Sequence, residues 1–182
     1  KLAKSSGTKA KIVAAIRDAR RHDHENDPHV WQDPGWAGVM VNNIAGGMIA
    51  TDAPNAAGYR ARTKAYKEKL RALDRKLKAD FAKIPKKRRR AITTHDAFGW
   101  LASAYDIEFI APLGMSTDEQ ASAKEVARLS EQIKREKIRA VFVENISDPR
   151  LIEQIARETG AKIGGKLYSD ALSTKAGPAP TY

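Results

Sequence analysis

Residues 139–167 read RAVFVENISDPRLIEQIARETGAKIGGKL, and one structural unit can be read straight through them. Arg139–Val143 is a short apolar run rich in β-branched and aromatic residues, which predicts a strand. Asp148-Pro149 supplies a helix cap and an early proline. Leu151, Ile152 and Ile155 follow at helical spacing, and Gly160 stands where a glycine ends a helix. Lys162–Leu167 predicts a second strand. A strand, a helix and a strand in that order join parallel neighbours. Reading outward, the same grammar precedes it: a strand at Ala91–Thr94, a helix from about Ala97 to Tyr105, a strand at Ile107–Ala111 and a loop. Ser122 with Glu125 then forms a capping box that opens a helix carrying Val126, Leu129 and Ile133. Four short strands separated by helices predict an α/β lobe with a four-stranded, mostly parallel sheet flanked by helices.

Upstream the pattern changes. Asp33-Pro34 starts a helix to about Ala50, with Trp36, Val39, Met40, Ile44 and Met48 at helical spacing; Gly46-Gly47 weakens its end. Thr51-Asp52-Ala53-Pro54 opens a second, long helix. Its Tyr59, Tyr66, Leu70, Leu73, Leu77, Phe81 and Ile84 are spaced 7, 4, 3, 4, 4 and 3, one apolar stripe ending at Pro85. Residues 8–16, with Lys11–Ile16 at their heart, read as a short strand.

Composition excludes whole classes. The chain has 182 residues, 42% hydrophobic and 30% charged, which is neither disordered nor membrane-spanning. No run of 18 apolar residues exists, so no transmembrane helix is expected. Without cysteine there are no disulfides, thiolate zinc sites or cysteine nucleophiles, and a transition-metal site must use His, Asp and Glu. The net charge of +11 is local: residues 58–90 hold 15 basic and 3 acidic residues, a balance of +12. That stretch reads as a solvated helix face and a basic turn, Lys86–Arg90, with an anionic-partner site as the alternative.

In parallel sheets, ligands bind at the carboxyl ends of the strands. There the chain places His95-Asp96, Glu144-Asn145 and Ser169-Asp170. The other histidines, His22, His24 and His29, lie in one Pro-bounded loop. Two imidazoles and a carboxylate make an N,N,O set suited to zinc, and less to manganese. Each position also has an ordinary reading. A strand-end His is often structural, Asp170 could cap a turn at Ser173 or Thr174, Glu144 could pair with Arg150, and His22 and His24 could capture metal only loosely.

Four segments, in order, resemble one family. Asp27-Pro28-His29-Val30-Trp31-Gln32-Asp33-Pro34 is similar to the second metal-ligand motif of the zinc/manganese substrate-binding proteins of bacterial ABC importers. Thr94-His95-Asp96-Ala97-Phe98-Gly99-Trp100 is similar to that family's third motif, and Tyr168-Ser169-Asp170-Ala171-Leu172 to its fourth. Val141-Phe142-Val143-Glu144-Asn145 resembles its characteristic strand end. The resemblance implies two lobes joined by a long rigid helix, with metal held between them. It divides this chain into a remnant of an N-terminal α/β lobe (1–50), a linker helix (51–85) and a C-terminal α/β lobe (86–182).

By the same resemblance the metal ligands are His29, His95 and Asp170, with Glu144 and Asp96 as supports able to fix an imidazole tautomer. His22 and His24 resemble the His- and acid-rich loop of zinc-binding members. The family's first ligand, an upstream His, has no counterpart here. Nor does the chain carry a signal segment, starting Lys1-Leu2-Ala3-Lys4. The expectation is a C-terminal portion of a chain about half as long again. The implied function is periplasmic, or that of an extracytoplasmic lipoprotein: high-affinity capture of a divalent metal for delivery to an ABC importer permease, without catalysis. Zinc is preferred, because manganese-specialised members resemble this pattern with Glu at the His95 position. A manganese-specific protein is the alternative. A zinc hydrolase fits less well, since no His-Glu-x-x-His motif places a base. A nucleic-acid-binding module also fits less well, since the aromatics of residues 58–90 sit on the apolar stripe.

Overall fold

The computed structural model describes residues 5–16, 27–115 and 121–182. Helix α1 spans Pro34–Thr51, and the Asp33 carboxylate caps it by accepting from the Gly35 N–H at 2.7 Å. It runs through Gly46 and Gly47 and breaks at Asp52, whose carboxylate gathers Asn55 and the Tyr59 hydroxyl. Helix α2, Ala56–Ala82, is 27 residues or about 40 Å long, starting after a 3₁₀ turn at Ala53–Asn55. The single long helix expected from Thr51 to Ile84 is therefore shorter at both ends. Of its apolar stripe only Leu70 is fully buried, while Tyr66 and Ile84 are exposed.

Four strands follow: β1 (Arg90–Ile92), β2 (Glu108–Ile110), β3 (Ala140–Glu144) and β4 (Lys162–Leu167). They alternate with α3 (Gly99–Tyr105), α4 (Ala123–Glu136) and α5 (Arg150–Thr159). The sheet order is β2-β1-β3-β4, and every pairing is parallel. Its core joins Ile92 and Val141 of the inner strands to Val126, Leu129 and Ile133 of α4 and Ile152 and Ile155 of α5. The predicted capping box at Ser122 and Glu125 is present, and Gly160 closes α5 at φ 74°. β4 is an exposed edge with a register shift opposite Phe142. Gly164 lies against the Phe142 ring, where a Cβ would collide.

The strand expected within residues 8–16 is absent. Residues 11–14 are irregular, and Ile12 and Ile16 are 57% and 41% exposed. A strand needs a neighbour to take its backbone hydrogen bonds, and none of the described strands lies beside this segment. The segment lies on α1 instead. Asn43 Nδ2 donates to the Ala15 carbonyl at 2.9 Å, and Val13 rests on the bare backbone of Gly47.

Aromatic contacts fasten α3 to the two long helices. Trp36 of α1 meets Trp100 edge-on at 5.5 Å, and Phe81 of α2 packs on Tyr105 at 5.4 Å. The basic stretch is laced by ion pairs. Lys76 and Lys83 share Asp80, Lys78 reaches Asp74, Lys86 reaches Asp106, and Arg90 reaches both Glu108 and Glu136.

Candidate metal centre

The strand order explains where a site forms. The chain steps from β1 outward to β2, then returns across β1 to β3. The crevice at the carboxyl ends of β1 and β3 is therefore the topological switch point. His95 lies just beyond β1, and Glu144 ends β3. Asp170 follows β4. His29 arrives from the other side, on the turn that leads into α1.

These groups converge. One ligand atom each from His29, His95 and Asp170 lies within 4.8 Å of the others. Asp170 Oδ1 is 3.5 Å from His29 Nε2, and its Oδ2 is 3.2 Å from His95 Nε2. Around a zinc ion with bonds near 2.05 Å, tetrahedral donors stand about 3.3 Å apart, so these separations match that edge. The two imidazoles meet edge to face, with centroids 5.3 Å apart. Both histidines are buried, and the Asp170 side chain is 29% exposed, which leaves the carboxylate on the solvent side.

Each imidazole is held from behind. Asp27 Oδ1 lies 2.7 Å from His29 Nδ1 and accepts the His29 backbone N–H at 2.9 Å. Glu144 Oε2 lies 2.6 Å from His95 Nδ1, while its Oε1 accepts the N–H groups of Thr94 and His95 at 2.8 and 3.0 Å. A carboxylate at Nδ1 favours the tautomer protonated there, which leaves a lone pair on Nε2, the metal-binding nitrogen on the side facing Asp170. Burial raises the Glu144 carboxyl, but contacts with His95 and Ser169 outweigh it and hold it below the usual carboxylate range. For His95, burial pulls downward, yet Glu144 and then Asp170 carry its imidazole above the ordinary value. Three carboxylates around two imidazoles make an anionic pocket suited to a divalent cation.

Asp27 was not singled out by sequence reasoning beyond its motif. The available signal was its position two residues before a histidine, which lets one carboxylate reach both the backbone and the ring. Asp96 is exposed and outside the buried group. The alternative partner of Glu144 is also settled, since Arg150 pairs with Asp148 instead. His22 and His24 lie outside the described residues.

The family model for zinc-uptake complex component A periplasmic (ZnuA) matches residues 1–182. The chain belongs to this family. Among its relatives, the manganese-binding lipoprotein MntA of Bacillus subtilis is 35% identical over 162 residues, 86% of this chain and 53% of that protein. The iron-binding protein YfeA of Yersinia pestis is 33% identical over 156 residues, 86% of this chain and 50% of YfeA. The high-affinity zinc uptake system protein ZnuA of Bacillus subtilis is 34% identical over 139 residues, 76% of this chain and 43% of that protein. The chain thus spans about half the length of the curated relatives it matches. Among solved structures, the periplasmic zinc-binding protein TroA of Treponema pallidum superposes with a TM-score of 0.86 at 26% identity, covering 97% of this chain and 67% of TroA. The relatives are named as metal-binding and substrate-binding proteins, not as enzymes. Among the described residues, no helix is long and apolar enough to cross a membrane.

Proposed function

We propose that this chain is the metal-clamping portion of an extracytoplasmic binding protein that captures a divalent cation and hands it to an ABC importer permease. His29, His95 and Asp170 are its ligands, zinc is preferred over manganese, and the metal is cargo. The convergence of two backed imidazoles on one carboxylate carries this reading. Nitrogen-rich sets favour zinc, whereas oxygen-rich ones suit manganese. Relatives named for iron, manganese and zinc support a divalent cargo in general; the donor set supports the choice among them. Three donors leave one tetrahedral position for a further ligand. The upstream His that the family resemblance implies would fill it, or failing that His22, His24 or water. The division into an N-terminal lobe piece (1–50), linker helix (51–85) and C-terminal lobe (86–182) belongs to the same proposal.

Isothermal titration with zinc and with manganese tests it. Wild-type protein is expected to bind zinc more tightly, and His95→Ala to lose roughly 100-fold or more in affinity. Unaltered zinc affinity in His95→Ala would sink the site. Tighter binding of manganese than zinc would reverse the metal assignment.

A further inference from the structure

The two sides of the crevice are tied together by protein groups as well as by the ion they would share. The indole Nε1–H of Trp31 and the amide Nε2–H of Gln32 both donate to the carbonyl of Ser169, at 2.8 and 3.0 Å. One carbonyl oxygen has two lone pairs, so a single acceptor takes both donors. The donors stand on the turn directly after His29, and the acceptor belongs to the peptide group directly before Asp170. From the other side, Asn145 Nδ2 donates to the Ala171 carbonyl at 3.1 Å, and the Asn145 N–H to the Leu167 carbonyl at 3.0 Å. Asp170 therefore sits between a fastening from its own sheet and one that crosses the crevice. Trp31 also packs edge-on against the His29 ring at 5.4 Å, so one side chain braces a donor and pins the peptide that carries another.

We propose that Trp31 and Gln32 form a metal-independent latch on the Ser169–Asp170 peptide, one that governs how fast bound metal leaves rather than how fast it enters. The proposal rests on the metal-capture reading above. The first bond to an entering ion forms at a histidine whether or not Asp170 is in place, so entry is insensitive to the loop. An ion held by all three donors leaves far faster when the Asp170 carboxylate, the most exposed of them, has swung away. That swing moves the 168–171 loop, which must first give up both bonds to the Ser169 carbonyl. Differences in affinity within one site are carried mostly by the dissociation rate, and a barrier of this kind acts there.

The test uses Trp31→Phe, Gln32→Leu and the double variant. Phenylalanine keeps an aromatic ring beside His29, though a smaller one, and leucine keeps most of the bulk of Gln32; each removes the N–H donor to the Ser169 carbonyl. Zinc alone is the probe, and release is followed by stopped flow into excess chelator. Each single variant is expected to speed release roughly three- to tenfold, the scale of one net hydrogen bond, and the double variant more than either. Association is expected within twofold of wild type. Amide hydrogen exchange over residues 168–172 of metal-free protein should also quicken, while the α4 and α5 amides stay unchanged. A purely structural loss would slow entry and loosen the whole lobe together. Wild-type release from a folded, zinc-binding double variant overturns the latch, as does a loss shared equally between entry and release. Should Trp31→Phe fail to fold, Gln32→Leu alone carries both measurements. Should wild-type protein fail to bind zinc, the capture reading falls. The exchange measurement on metal-free protein then still decides whether the fastening exists.

Discussion

Asp27 and Glu144 hold their histidines by different routes, and substitution should tell them apart. Glu144 has one oxygen on two backbone N–H groups and the other facing His95, so an amide in its place cannot accept at both ends. Glu144→Gln is expected to weaken zinc binding roughly 10- to 100-fold. It should also lower stability by about 1–3 kcal/mol, since a buried donor loses its acceptor. Asp27 serves one backbone N–H and one ring nitrogen, so Asp27→Asn should cost similar affinity with a smaller loss of stability. Calorimetric titration and urea unfolding of both variants check this pair. The same contacts give a pH dependence. The His95 imidazole is held above its ordinary value, because Glu144 and Asp170 outweigh the effect of burial. Only the neutral ring binds metal. Zinc affinity is thus full above the raised value and falls as pH drops through it. Removing the Glu144 charge should move that fall to lower pH, which titrations at stepped pH would reveal. His95, Glu144 and Asp170 were legible because strand ends in a parallel sheet mark where ligands gather. Asp96 is adjacent in sequence but stands apart in space: the Ala97 N–H donates to the His95 carbonyl at 3.0 Å, a tight turn that leaves Asp96 exposed while His95 is buried. Asp27 was harder to see, since its partner is a local ring contact and not a strand end.

At the scale of the element, glycines in α1 separate propensity from packing. Both Gly46 and Gly47 look like helix weaknesses, worth about 1 kcal/mol each relative to alanine. A Cβ on Gly46 meets nothing, whereas one on Gly47 overlaps both methyl groups of Val13. Gly46→Ala should therefore raise the thermal midpoint. Gly47→Ala should forfeit that gain and loosen residues 11–16, seen as faster amide exchange there. Thermal melts of the two variants, side by side, decide it; equal gains would mean that the segment does not rest on α1. Cap and proline signals are local and mark the starts of α1 and α4 closely, but at α2 the Asp52 and Pro54 signals mark a 3₁₀ turn and the helix itself starts at Ala56. Lys11–Ile16 has the composition of a strand but no strand beside it among the described residues, and composition cannot supply a partner. The stripe on α2 was visible in the spacing, while its half-covered state was not: Leu70 is buried but Tyr66 exposed.

For the molecule as a whole, the turn at residues 27–32 precedes both long helices in sequence yet is bonded to residues that follow them. Trp100 Nε1 donates to the Asp27 carbonyl at 3.2 Å, and the Tyr182 hydroxyl donates to the Trp31 carbonyl at 2.7 Å. With the two bonds to Ser169, this turn is fastened to residues 90–182 before any ion arrives. An ion shared by His29, His95 and Asp170 would therefore lock a contact that already exists, and its effect should appear as stabilisation of one cooperative unit. A ligand that binds only the native state at 100 times its Kd adds about 2.7 kcal/mol. In a chain of this size that raises the melting midpoint by roughly 5–10 °C. Zinc is expected to produce such a rise, and a chelator to abolish it. The decisive comparison is between His29→Ala and His95→Ala. If the ion bridges the two sides, either variant loses nearly the whole rise, because each removes one of three donors. If the ion is held by residues 90–182 alone, His29→Ala keeps most of it while His95→Ala keeps none, and the bridging arrangement is then wrong.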